Sequence, residues 1–143
     1  MARGWTLGAR AGEAGPMPFI VDGMNVIGSE PNGWWRDRAA ARRRLVEELG
    51  PIGEEGEGIT VVFDGRPTPA ETGRAVPTGM TVSFAPGGPN AADDAIVDLV
   101  RALERPEQTV VVTSDRVLVD RVRQLGAEVE SARSFRSRLA GST

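Results

Sequence analysis

Ile59-Thr60-Val61-Val62-Phe63-Asp64-Gly65 is an apolar run that stops abruptly on an acid and a glycine. A continuous apolar stretch bounded by turn residues predicts a strand covered on both faces, and such strands belong to parallel sheets held between helices. Three further runs repeat the design. Phe19-Ile20-Val21 closes on Asp22, and Thr109-Val110-Val111-Val112-Thr113 closes on Ser114-Asp115. Met80-Thr81-Val82-Ser83-Phe84 leads across a Gly/Pro loop to Asp93 and Asp94. In an open parallel sheet these C-terminal ends share one edge, where ligands of α/β folds bind. The carboxylates of Asp22, Asp64, Asp93, Asp94 and Asp115 are therefore expected in one crevice. Like charges at close range resist joint ionisation, so such a cluster without neighbouring cations implies a bound metal.

Helical patterns separate the runs. Trp35, Ala39, Arg42, Leu45, Val46 and Leu49 recur at three- and four-residue steps, predicting a helix over Trp34–Leu49 that Gly50-Pro51 stops. Gly28–Gly33 and Gly65–Gly79 carry loop chemistry, and Gly53–Gly58 is an acidic exposed connection. Ala91–Arg101 reads as a helix capped by Asn90. A further helix around Val117, Leu118, Val122 and Leu125 ends at Gly126. Ala127–Val129 is a short edge strand, and Ser131–Leu139 a last helix capped by Ser131. This alternation predicts a three-layer α/β domain over residues 19–139, a central parallel sheet flanked by helices. Residues 1–18 read as a flexible leader and 140–143 as a tail.

At 143 residues the chain reads as one domain. Its missing residue types restrict the chemistry more than its length does. His, Cys, Tyr and Lys are absent, which excludes a Ser-His-Asp triad, a thiol nucleophile, a Schiff-base lysine, a P-loop lysine and zinc sites built from His or Cys. Catalysis must come from Asp, Glu, Arg, Ser, Thr, Asn and backbone groups, with or without a hard cation. All 17 basic residues are Arg, a usage that coding bias alone can produce, and the net charge is −3. An acidic total argues against a uniformly basic nucleic-acid binder but allows a local basic patch. No apolar stretch approaches the ~20 residues of a membrane span, and the start of the chain lacks a signal-peptide core. The expected location is the cytoplasm.

Each acidic motif taken singly has a structural reading. Asp22-Gly23 and Asp64-Gly65 suit Asx-turns and tight turns. Asp93 suits the first turn of a helix capped by Asn90, and Ser114 or Asp115 suits an N-cap. Two observations exceed those needs. Asn25 offers a donor and an acceptor beside Asp22, able to orient the acid or a metal-bound water. Asp93 and Asp94 point ~100° apart on a helix, so only one of them serves a given direction.

The run Val21-Asp22-Gly23-Met24-Asn25-Val26-Ile27-Gly28 resembles the first-strand signature of YacP-like NYN domains, a branch of the PIN-like nuclease superfamily. Val62-Phe63-Asp64, Ala92-Asp93-Asp94-Ala95-Ile96, Val112-Thr113-Ser114-Asp115 and Ser131-Ala132-Arg133 follow in the family's order. The resemblance implies a PIN-like fold and a divalent-metal ribonuclease site made by Asp22, Asn25, Asp93, Asp94 and Asp115, with Asp64 beside them. It also implies RNA as partner, with mRNA at the ribosome as the narrower expectation. The chain departs from the family where an acid often follows the motif's Ile, since Val97 stands there and Asp98 comes next.

The expected activity is endonucleolytic hydrolysis of RNA. Asp22, Asp94 and Asp115 would hold Mg²⁺ or Mn²⁺, with Asp93 and Asp64 direct or through water, and cleavage would leave a 5′-phosphate. Arg36, Arg38, Arg42, Arg43, Arg44, Arg66, Arg116 and Arg133 are the candidate RNA contacts, since guanidinium forks suit phosphate oxygens. Of Trp34 and Trp35, one is expected in the core and the other free to stack a base. The rival expectation is a non-catalytic RNA- or ribosome-binding module on the same fold.

Overall fold

Successive residues of the apolar runs point to opposite faces of one sheet, and both faces are covered. Val21, Val61 and Phe63 turn into one core with Val26, Leu45, Leu49 and Phe135. Ile20, Val62 and Val111 turn into the other with Ile96, Val100, Leu118 and Val122. This double burial is why the runs are apolar throughout rather than alternating.

The structure, a computed structural model, describes residues 6–7, 18–55 and 58–141. Its strands are β1 (Thr6–Leu7), β2 (Phe19–Asp22), β3 (Ile59–Asp64), β4 (Met80–Ala85), β5 (Val110–Val112) and β6 (Glu128–Glu130). Its helices are α1 (Gly23–Gly28), α2 (Arg38–Glu55), α3 (Pro69–Thr72), α4 (Ala91–Arg101), α5 (Arg116–Gln124) and α6 (Ala132–Gly141). All strand pairs are parallel, in the order β1-β4-β3-β2-β5-β6. The chain builds outward from β2 through β3 to β4, then returns by way of α4 to place β5 on the other side of β2. The strand order thus reverses between β2 and β5, the place where open α/β sheets form their ligand crevice. Val21 pairs with Val112, so Asp22 and Thr113 leave the sheet side by side.

Four features differ from the sequence expectation. Within the stretch read as a leader, Thr6–Leu7 pair with Ser83–Phe84 at the edge of the sheet, while residues 8–17 lie outside the described part. Helix α1 starts immediately after Asp22, because Val26 and Ile27 are buried and a turn of helix brings both to the core. Helix α2 starts at Arg38, after a 3₁₀ turn at Trp34–Arg36, and continues through Gly50-Pro51 to Glu55. Pro51 cannot donate to the carbonyl of Glu47, a residue on the exposed face of the helix. Last, the stretch 65–79 contains α3, started by a reciprocal cap between Thr68 and Glu71.

Gly23 sits where no side chain fits. A Cβ there would overlap the Cε1 atom of the Phe63 ring and lie 3.1 Å from Val61 Cγ1. Phe63 is fully buried, so its ring has no space to retreat into. Gly23→Ala is expected to cost about 1–3 kcal/mol, read as a lower urea midpoint at unchanged slope.

Candidate active site at the sheet edge

Asp22 ends β2 with 6% of its surface exposed, at the reversal point of the sheet. Thr113, fully buried beside it, donates its hydroxyl to Asp22 Oδ2 at 2.9 Å and accepts the Asp115 backbone N–H at 3.1 Å. Asn25, in the first turn of α1, accepts the Ser114 N–H at 2.8 Å, and Ser114 Oγ accepts the Ala132 N–H that opens α6. Asp115 caps α5, its Oδ1 accepting the N–H groups of Val117 and Leu118. The turn after β5 is therefore tied to β2, α1, α5 and α6 at once.

The electrostatics show which acids share the crevice. Asp22 is pushed up to about 7, by burial first. The Thr113 hydrogen bond opposes that rise, and the charges of Asp93 and Asp115 add to it. Asp93 is also raised, by burial and by Asp115, with Arg121 opposing and Asp94 and Asp64 adding repulsion. Asp22, Asp93 and Asp115 thus form one repelling group, on which Asp94 and Asp64 act through Asp93.

Asp94 stands apart. It is mostly exposed, pairs with Arg121 Nη1 at 2.9 Å, and lines a groove formed with the end of β4. The structure reverses the sequence emphasis on this pair, because the phase of α4 sends Asp93 rather than Asp94 toward Asp22. Arg121 had no distinguishing signal in the sequence, since only the packing of α5 against α4 brings it to Asp94. Val97 is buried in the core and Asp98 is exposed, so the position following the Ile96 motif contributes packing.

The donor set has the chemistry a hard divalent cation takes, oxygen throughout with no nitrogen or sulfur ligand available. Among the described residues no three acidic side chains are gathered closely enough to hold a metal ion as they stand.

The arginines divide into two kinds. Arg42 is buried, and its Nε and Nη2 donate to Glu71 at 2.8 and 2.9 Å while its guanidinium lies over Phe84. It is a core residue, which corrects its assignment to RNA: the helix phase that carries Leu45 and Leu49 inward carries Arg42 with them. Glu71 responds to its partners. Burial alone would raise its carboxyl, but the hydrogen bonds from Arg42 and Thr68 outweigh that and hold it below the ordinary value. Its contribution is present above the ordinary Glu range and is lost as pH falls through the lowered value. Glu71→Gln leaves a buried guanidinium without its counter-charge and is expected to cost about 3–5 kcal/mol at pH 7, measured by chemical denaturation.

Arg36, Arg38, Arg43, Arg44, Arg66, Arg116 and Arg133 are exposed and form no carboxylate pair among the described residues. Arg38 lies 5.2 Å over the Trp34 ring, which packs against the core, while Trp35 is 54% exposed.

A parallel sheet with acids gathered where its strand order reverses is the arrangement of a PIN-like α/β domain. The chain belongs to the YacP-like NYN domain family, whose model matches residues 19–143. Its fold is similar to the crystal structure of Rae1 (YacP) from Bacillus subtilis, with a TM-score of 0.70 and 26% identity over 86% of this chain and 73% of that one. A single-substitution mutant of Rae1 from Bacillus subtilis is similar at a TM-score of 0.66 and 26% identity, over 88% of this chain and 76% of that one. No match is found among curated proteins. Among the described residues no helix is long and apolar enough to cross a membrane.

Proposed function

We propose that the protein is a divalent-metal-dependent endoribonuclease. The observation that carries this reading is the repelling group of Asp22, Asp93 and Asp115, with Asp94 and Asp64 beside Asp93 and no cation paired with Asp22 among the described residues, at the reversal point of a nuclease-like fold. A structural set of caps does not require a buried acid pushed up to about 7 beside two others. Asp22 and Asp93 would hold Mg²⁺ or Mn²⁺, with Asp115 and Asp64 reaching it directly or through water. The chemistry such an ion supplies is charge neutralisation at the phosphoryl oxygens and acidification of water.

The chain's own groups do the positioning. Thr113 fixes the rotamer of Asp22, and Asn25 holds the Ser114 amide so that the turn carrying Asp115 keeps its place. Water oxygen attacks phosphorus, the bond to the 3′ oxygen breaks, and that oxygen leaves as a hydroxyl, so the products carry a 5′-phosphate and a 3′-hydroxyl. Arg116, next to Asp115, and Arg66, just after Asp64, are the cations available to phosphate near the acids. Exposed Arg36, Arg38, Arg43, Arg44 and Arg133, with Trp35, offer phosphate and base contacts farther along the strand. RNA in the cytoplasm is the substrate class this reading takes, and mRNA at the ribosome its narrower form.

Incubating labelled single-stranded and structured RNA with the protein in Mg²⁺, Mn²⁺ or EDTA tests the reading. Internal cuts with 5′-phosphate ends in either metal, and none in EDTA, are expected. RNA bound but uncut in both metals would instead make this a binding module, the outcome that buried Val97 favours.

A further inference from the structure

The paired acids that open α4 face two different places. Asp93 faces Asp22, Asp115 and Asp64, whereas Asp94 lines a groove of about 570 Å³, within the size range of small-molecule sites. One wall of the groove is a stripe of α4, namely Ala91, Asp94, Ala95, Asp98 and Leu99 at three- and four-residue spacing. The other is the end of β4 with the turn that follows it, including Pro86, Pro89 and Asn90. A ligand seated there lies one residue along the helix from the acid group.

The lining selects the ligand. Among the described residues its lining contains two carboxylates, each paired with an arginine, and no free cation to take a phosphate group. Alanines rather than large side chains on α4 keep the space open, and the prolines supply apolar surface for a flat ring. Asn90 stands at the N-cap of α4 yet makes no side-chain capping hydrogen bond, which leaves its amide for the groove. Arg121 takes Asp94 Oδ1 at 2.9 Å and Arg101 takes Asp98 Oδ1 at 3.3 Å, leaving a second oxygen on each acid. A carboxylate only accepts hydrogen bonds, so these two oxygens, on residues one helical turn apart, suit a ligand with two adjacent donors. Guanine, with N1–H beside its exocyclic amine, is the RNA base that presents such a pair on its Watson–Crick edge. Adenine and cytosine set their amine beside an acceptor nitrogen, and uracil has a single donor.

We propose that this groove is a nucleobase subsite that reads guanine through Asp94 and Asp98, next to the phosphate handled by the acid group. The proposal rests on the nuclease reading and names the substrate feature that site would prefer. Binding is measured by anisotropy with Ca²⁺ in place of Mg²⁺, using oligouridine strands that carry one central guanine, inosine, adenine or uracil. The guanine strand should bind roughly tenfold more tightly than the inosine strand, which lacks only the exocyclic amine, and than the other two. Asp98→Asn, at an exposed position, should erase most of that preference, and Ala95→Leu should lower guanine binding to the uracil level by filling the groove. If Ala95→Leu melts early, Asp98→Asn decides. Equal affinity for all four strands, or a preference unchanged in both variants, overturns the subsite while RNA cleavage in Mg²⁺ leaves the nuclease reading standing. A protein that neither binds nor cuts any strand overturns the nuclease reading and the subsite with it.

Discussion

Asp22→Asn is expected to melt at a higher temperature than the wild type at pH 8 in EDTA, and at the same temperature near pH 3. The carboxyl is pushed up to about 7 in the folded protein from an ordinary value of 3.8. A raised acid binds more protons folded than unfolded, so stability is complete below the unfolded value and declines as pH rises from there to about 7. The shift corresponds to roughly 4 kcal/mol at pH 8, which the neutral amide avoids while its carbonyl still accepts from Thr113. Divalent metal closes most of that gap. An ion that binds only the folded wild type adds about 2.7 kcal/mol at a hundredfold excess over its dissociation constant, and the variant gains little. Melting curves of both proteins between pH 3 and 8, with and without Mg²⁺ at fixed ionic strength, measure this. A variant that melts below the wild type at pH 8 in EDTA would show that Asp22 is an ordinary turn acid.

The second large effect concerns catalysis, and it separates two neighbouring residues. Asp22→Asn and Asp93→Asn should each lower RNA cleavage in Mg²⁺ by at least about a hundredfold, the scale of losing one charge-stabilising group from a reaction centre. Asp94→Asn should lower it far less on strands without guanine, because Asp94 touches the group through Asp93 alone and is paired with Arg121 at the surface. Its exposed ion pair is worth under about 1 kcal/mol of stability, so Asp94→Asn should fold, and Asp22→Asn and Asp93→Asn relieve repulsion at raised acids. Single-turnover rates at saturating protein make the comparison. Equal losses at Asp93 and Asp94 would mean that α4 turns differently when RNA is bound.

The main elements of the fold were legible because their signals are local. Apolar runs of strand length closed by Asp, and three- and four-residue apolar spacing between them, require no knowledge of what packs where. The misread elements all depend on a partner distant in the chain. Helix α1 forms because Val26 and Ile27 find a core, and α2 passes Pro51 because the exposed face tolerates one unpaired carbonyl. The Arg42–Glu71 pair joins residues 29 positions apart, and an arginine in an Arg-Arg-Arg run carries no mark of being the buried one.

By itself the sequence determined a parallel α/β sheet, the acids at its edge, and a chemistry without imidazole, thiol or amine side chains. Those follow from residue type and period alone. Tertiary structure alone decided that Asp93 joins Asp22 while Asp94 turns to a groove, that Arg42 belongs to the core, and that Trp35 rather than Trp34 meets solvent. Each of these outcomes depends on how a helix is rotated against the sheet. A rotation of ~100° separates consecutive residues, and only the packing of both faces sets it.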